Sequence, residues 1–335
     1  MVGNLWERTK TFFSRVLRRE PLAPGRFESG SRSSWRGFVL VAPWIWPKRD
    51  YLVYVPRGHA RWRRTTLLVL IHGCHQTAQD IAAGTRVTQL ADELSCLVLL
   101  PCQEPRANAW GCWNWFDRRT AAGAGEAAIV AAQIRAVRRQ YRVHRKRVFV
   151  AGMSSGAGLA TALALRHSAL FAGVFVHSGI AAGAASSPLT AVSVLQRGPD
   201  TDVAAIALAT HKAAGTRARV VPILVVHGTL DATVVPVHAS EVIRQFLAFA
   251  GHPGVAAFPA ALPSPQRELT AELAGERRTT TSEWRHDGRL EARRVLVEGL
   301  AHAWSGGDAQ WPYNDAMPPD ATALWRAFMN DVLHH

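Results

Sequence analysis

From Asp50 onward, short apolar runs alternate with longer stretches in which apolar residues recur every three or four positions. Residues 51–55 (YLVYV), 66–71 (TLLVLI), 97–100, 147–151, 173–177 and 220–226 read as strands. Residues 84–94, 126–141, 155–167 and 238–250 read as helices, with Ala127, Val130, Ile134 and Val137 on one face of the second. Strand then helix, repeated, predicts βαβ units and a mostly parallel central sheet flanked by helices on both faces, an α/β fold. Near the end, 279–286 and 289–297 flank Asp287-Gly288, the dipeptide of a type I′ hairpin, so two antiparallel strands should close one edge of the sheet. Asp320, after Pro319, should cap a last helix running to about Leu333. Residues 251–278 are rich in Ala and Pro, weakly patterned, and expected to be loop.

The first 35 residues differ from the rest. Leu5, Trp6, Phe12, Phe13, Val16 and Leu17 lie at helical spacing opposite Arg8, Lys10, Arg15, Arg18 and Arg19, the pattern of a basic amphipathic helix. Such a helix suits a granule or anionic surface; packing against its own domain is the plainer reading. Residues 20–35 (EPLAPGRFESGSRSSW) read as a linker. The expected organisation is therefore a basic segment and linker, 1–35, followed by one catalytic domain, 36–335.

Composition narrows the class. The chain has 335 residues, 48% apolar and 19% charged, which excludes disordered, collagenous and coiled-coil proteins. The net charge of +14 is concentrated early: residues 1–64 hold 14 basic and 4 acidic side chains. No nucleic-acid-binding module accompanies that charge, so no nucleic-acid partner is expected. Cys74, Cys96, Cys102 and Cys112 match no zinc or thiol-exchange spacing. Residues 1–20 scatter charge where a secretory signal needs an apolar core, so the expectation is cytoplasmic residence, with granule association and secretion both left open.

The chemistry centres on Ala151–Gly158, AGMSSGAG, between an apolar run and a helical pattern. Gly152-Met153-Ser154-Ser155-Gly156 fits G-x-S-x-G, in which a sharp strand-to-helix turn exposes the central hydroxyl and small residues at ±2 let strand and helix approach. A serine hydroxyl needs a base to activate it and an acid to orient that base. Asp231, in the turn after a late strand, is the candidate acid; His302, in VEGLAHAWSGG beyond the hairpin, is the candidate base. An oxyanion needs backbone N–H donors, and the candidates are the amides of Ser155, after the nucleophile, and Cys74, after the strand TLLVLI. A zinc site from His72, Cys74, His75 and Cys112 is the weaker alternative, its spacing being unlike any usual pattern. No metal or organic cofactor is expected.

HGCHQ (72–76), PCQ (101–103), CWNWF (112–116), RVFVAGMSSGAG (147–158), VFVHSGI (174–180), LQRGP (195–199), HGTLDATV (227–234) and GLAHAWSGG (299–307) together resemble the esterase family of poly(3-hydroxybutyrate) depolymerases, across about three-quarters of the chain. The resemblance implies an α/β-hydrolase fold, a Ser154–His302–Asp231 triad, an oxyanion hole at Cys74 and Ser155, and a polyester or short-chain ester substrate. It further implies that Trp113, Trp115 and Trp304 contact substrate, against the alternative that they are core residues. A carbohydrate-linked esterase is the nearest rival activity, and a non-catalytic granule-surface protein the rival of another class. Secreted polymer-degrading relatives carry a separate binding domain, whereas this sequence continues only about 30 residues past His302, which favours an intracellular or oligomer-directed enzyme. Cys74 and Cys112 should lie on neighbouring loops, as a disulfide or as two thiols according to the compartment.

Overall fold

A computed structural model describes residues 25–34, 47–60, 62–257, 261–272 and 274–334. The helix expected over 5–19 lies outside the described residues. The strands of the main sheet are β1 (Arg26–Ser33), β2 (Lys48–Val55), β3 (Thr65–Ile71), β4 (Leu97–Pro101), β5 (Val143–Met153), β6 (Gly173–His177), β7 (Ile223–Gly228), β8 (Arg267–Ala271), β9 (Thr279–His286) and β10 (Arg289–Val297). They are ordered β1-β2-β4-β3-β5-β6-β7-β10-β9-β8. From β4 through β3, β5, β6 and β7 to β10 all neighbours run parallel. Both flanks are antiparallel.

The helices are α1 (Ala78–Gly84), α2 (Val87–Leu94), α3 (Arg118–Ala121), α4 (Gly125–Gln140), α5 (Ser155–Arg166), α6 (Pro188–Arg197), α7 (Val203–Ala214), α8 (Val237–Ala250), α9 (Pro253–Ala257) and α10 (Ala321–His334). Alternate strand residues feed two cores. Leu67, Val69, Val148, Val150, Val174 and Val225 pack with Ile134 of α4, Leu163 of α5 and Ile243 of α8. Leu68, Leu70, Phe149, Phe175, Leu224 and Val226 pack on the other face with Ile81 of α1, Leu90 of α2 and Trp325 of α10. Because both faces are covered, the central strands are apolar at every position, which is what made them legible.

Three local expectations change. The linker reading of 20–35 gives way at Arg26–Ser33, which forms β1 in unbroken antiparallel register with β2. Its polar, Gly- and Ser-rich sequence suits an edge strand, and the Tyr51 ring occupies the space a Cβ on Gly30 would fill. The helix read over 84–94 starts later, as α2 from Val87, and a separate α1 ends at Gly84; the break falls where Arg86 adopts φ 56° and its guanidinium reaches Asp320 Oδ2 at 2.9 Å. Residues 251–278 contribute α9 and β8, the latter exposed throughout and pairing outside the hairpin. The hairpin itself forms over Asp287 and Gly288 with φ of 49° and 76°. Asp320 Oδ1 accepts the N–H groups of Thr322 and Ala323 at 2.8 and 3.1 Å, capping α10.

Candidate active site

The C-terminal ends of β3, β5, β7 and β10 deliver the loops that converge on one cleft. At the end of β5 the chain turns directly into α5, and the turning residue is Ser154, with φ 55° and ψ −123°. This backbone region is costly for any residue with a Cβ. The turn is forced by close packing: a Cβ on Gly152 would overlap the Gly156 backbone, and one on Gly156 would overlap the carbonyl oxygens of Ile71 and His72. Glycine at both ±2 positions therefore lets β5, β3 and α5 meet, and the Ser154 side chain is left facing the cleft.

Asp231 follows β7 and is 2% exposed. Its Oδ1 accepts the N–H groups of Thr233 and Val234 at 3.0 and 2.8 Å. Its Oδ2 accepts the Nδ1–H of His302 at 2.8 Å. Burial works to raise the Asp231 carboxyl, but the hydrogen bond and charge of His302 and the Val234 amide outweigh it, so the group stays below its ordinary value and ionised. With Nδ1–H committed to Asp231, His302 has Nε2 free to act as a base in the cleft it lines beside Ser154. The acid and base loops are pinned together, Thr229 N–H donating to Val297 O and Leu230 N–H to Leu300 O, each at 3.0 Å.

His177, at the end of β6, was missed as a site residue although it sits in a motif the resemblance uses. Its carbonyl accepts the Ser154 N–H at 3.1 Å, and its ring Nε2 accepts the Ser305 N–H at 3.2 Å, so it ties the nucleophile turn to the base loop. Complete burial pushes its pKa down to about 3, keeping Nε2 an acceptor, and the Trp304 ring stacks on it at 4.9 Å. Burial likewise holds His227 at about 4; its Nε2–H donates to Val234 O at 2.8 Å beneath Asp231. No spacing rule singles out such buried neutral histidines.

On the opposite wall, Gly73 donates its N–H to Gln76 Oε1 at 2.9 Å and presses against Ser154, leaving Cys74 at the cleft surface. Ser155 opens α5, at the positive end of the helix dipole. Cys74 and Cys112 form a disulfide with Cα atoms 4.1 Å apart, which also removes both sulfurs from any zinc site. Among the described residues no group of three or more His, Cys, Asp or Glu side chains is arranged to hold a metal.

The cleft has a volume of about 590 Å³. Its walls carry Trp110, Trp115, Phe116, Val192, Leu195 and Tyr313, with Asn108, Asn114 and Thr233 as polar points. Trp115 thus lines it, but Trp113 and Trp304 do not. Trp113 is fully buried against His72, its backbone N–H donating to Ser155 Oγ at 3.3 Å, and Trp304 is 1% exposed with its indole N–H on Thr322. Both support the site from behind. Exposed Trp110, two residues before Cys112, and the α6 wall were not anticipated; the Ser187-Pro188 start of α6, with its Thr190 capping box, was the available signal.

The cleft loop is held from below by Glu126 of α4, which is buried. Its carboxylate accepts Arg49 Nη2 at 3.1 Å, Gln103 Nε2 at 2.7 Å and the Asn114 N–H at 2.7 Å. Asn114 Oδ1 in turn accepts Asn108 Nδ2 at 3.0 Å. A fully satisfied buried carboxylate of this kind rigidifies the strands and loop that donate to it.

Comparison with known proteins follows the same line. The family model described as Esterase PHB depolymerase matches residues 49–261. A poly(3-hydroxyalkanoate) depolymerase C of Paucimonas lemoignei is 30% identical over 200 residues, 59% of this chain and 48% of that protein. An acetylxylan esterase A of Talaromyces purpureogenus is 33% identical over 133 residues, 39% of this chain and 34% of that protein. The chain thus spans half or less of the length of these relatives. The solved acetyl xylan esterase from Aspergillus awamori, 21% identical with a TM-score of 0.62 over 76% of this chain and 89% of that one, shares the fold. By the family match over most of its sheet and its cleft, this chain belongs to the esterase PHB depolymerase family.

Proposed function

We propose that the protein is a serine esterase hydrolysing poly(3-hydroxybutyrate) or short-chain hydroxyalkanoate oligomer esters. The observation that carries the reading is the strained Ser154 turn facing the cleft lined by His302, whose other ring nitrogen is bonded to buried Asp231. Ser154 Oγ attacks the ester carbonyl while His302 Nε2 takes its proton. The developing oxyanion is held by the amides of Cys74 and Ser155. The tetrahedral intermediate collapses, His302 returns the proton to the leaving alkoxide, and an acyl-enzyme remains. Water, deprotonated by His302, attacks the acyl carbon; the bond to Ser154 Oγ then breaks, His302 returns the proton to Oγ, and the carboxylic acid leaves. Asp231 stays ionised throughout and keeps the imidazolium favourable.

The apolar walls of Trp110, Trp115, Phe116 and Val192 support ester units bearing methyl groups. A second reading, deacetylation of a polysaccharide, is favoured by the similarity to acetylxylan esterases. The Cys74–Cys112 bond supports an oxidising compartment over the cytoplasm expected from the charged first residues. Purified protein assayed side by side on hydroxybutyrate oligomers and acetylated xylan decides the substrate class. The proposal predicts faster turnover of the oligomers, lost in Ser154→Ala; faster xylan deacetylation overturns it.

A further inference from the structure

The pole of the molecule opposite the cleft gathers exposed cations that have no ion-pair partner among the described residues. In the parallel sheet the N-terminal ends of β3, β5, β7 and β10 all lie there, because their C-terminal ends all open toward the cleft. Each of those ends is entered through cations. Arg63 and Arg64 precede β3, Arg145, Lys146 and Arg147 stand in the first half of β5, Arg217 and Arg219 precede β7, and Arg289 opens β10. All of these side chains are exposed.

None of them makes an ion pair among the described residues, whereas two neighbouring arginines do, Arg57 with Asp92 and Arg326 with Glu93. Lys146, Arg147, Arg219 and Arg289 line a cleft of about 1150 Å³ between β5, β7 and the hairpin. The acids on the same cleft are fewer and mostly committed: Asp331 is bonded to Arg293 at 2.7 Å and Glu291 is buried, which leaves exposed Asp287 as one carboxylate against four cations. Like charges gathered this way repel one another and oppose compactness.

The same pole presents Trp62, 76% exposed, directly before Arg63 and Arg64. A Trp so exposed beside paired arginines is the side-chain set of a membrane–water interface, where the indole enters the headgroup layer and the guanidinium groups meet phosphates. Among the described residues that line the basic cleft, the ring-bearing ones are His144, His286 and prolyl Pro222, which form no ladder for stacking nucleic-acid bases.

We propose that this pole docks the folded domain on an anionic phospholipid surface, with the cleft of Ser154 turned to the solution. The docking is carried by Trp62 and the strand-entry cations, and it is independent of the esterase reading. The test is co-sedimentation of the full chain with vesicles of phosphatidylcholine alone or mixed with phosphatidylglycerol, at low and high salt. Wild-type protein should pellet with the mixed vesicles only, and be released by high salt. Reversing Arg145, Lys146, Arg147 and Arg219 to Glu should weaken partitioning on the order of 100-fold or more. Trp62→Ala should weaken it severalfold, and each variant is to keep the wild-type thermal midpoint. Reversal of Arg15, Arg18 and Arg19 in the first residues should leave the pole-dependent binding in place. Absence of binding to the mixed vesicles, undiminished binding after the pole reversal in a folded variant, or displacement from vesicles by duplex RNA at stoichiometric charge overturns the proposal.

Discussion

Replacing Ser154 by Gly and by Ala separates its chemistry from its backbone. Both changes remove the hydroxyl, and both should abolish ester hydrolysis. They differ in what the turn demands. At φ 55° and ψ −123° a residue with a Cβ is strained, typically by about 1–3 kcal/mol, and glycine is not. Glycine carries its own cost of about 0.5–1 kcal/mol through the freedom it gains in the unfolded chain. The difference leaves Ser154→Gly about 0–2.5 kcal/mol more stable than Ser154→Ala, centred near 1 kcal/mol, a Tm higher by about 2 °C for a chain of this size. Thermal unfolding of the two variants in parallel reads this directly. A Ser154→Gly protein that melts below Ser154→Ala would refute the claim that the neighbouring packing holds this residue in a strained turn.

Other outcomes follow from the same geometry. Asp231→Asn keeps the shape of the site but cannot hold His302 in the required tautomer, so kcat for a p-nitrophenyl ester should fall by about 10³–10⁴ with KM little changed; a loss under tenfold contradicts the role. His177 and His227 are held at about 3 and about 4 in the fold, against about 6.5 when unfolded. The unfolded chain therefore binds more protons below about pH 6.5, and stability falls with pH by up to about 1.4 kcal/mol per unit for each histidine until their folded values are reached. Denaturant midpoints measured between pH 7 and pH 5 should show that decline, and His177→Gln should reduce its slope; a flat profile contradicts the buried neutral state. Trp113→Ala should destabilise the fold by about 3–5 kcal/mol, whereas Trp110→Ala should raise KM and leave the melting temperature unchanged. Equal effects on KM and Tm would contradict the division between supporting and lining tryptophans.

How much the sequence disclosed follows from how each element is stabilised. β3 to β7 are buried on both faces, so their apolar runs stand out; Ser154, Asp231 and His302 sit at strand ends whose order could be read along the chain. β1 left no such trace, because an edge strand of Arg, Ser and Gly is held by main-chain pairing and by tyrosine rings from β2. The break at Arg86 depends on contacts with Gly306 and Asp320, more than two hundred residues away in sequence. The tryptophans illustrate a related limit. Trp113 and Trp115 are two positions apart in one motif, yet one is buried behind the nucleophile turn and the other lines the cleft, and only the path of the loop over Glu126 distinguishes them. The Cys74–Cys112 pairing was open for the same reason: two loops had to be seen side by side.

The central claim is that Ser154 is the nucleophile, activated by His302 in a single cleft. Incubation with a fluorophosphonate ester followed by peptide mass analysis addresses it most directly. One covalent adduct is expected, on Ser154, formed in step with loss of esterase activity and slowed severely in His302→Ala. Modification of another residue in step with that loss, or hydrolysis that continues in an unlabelled protein, would contradict it.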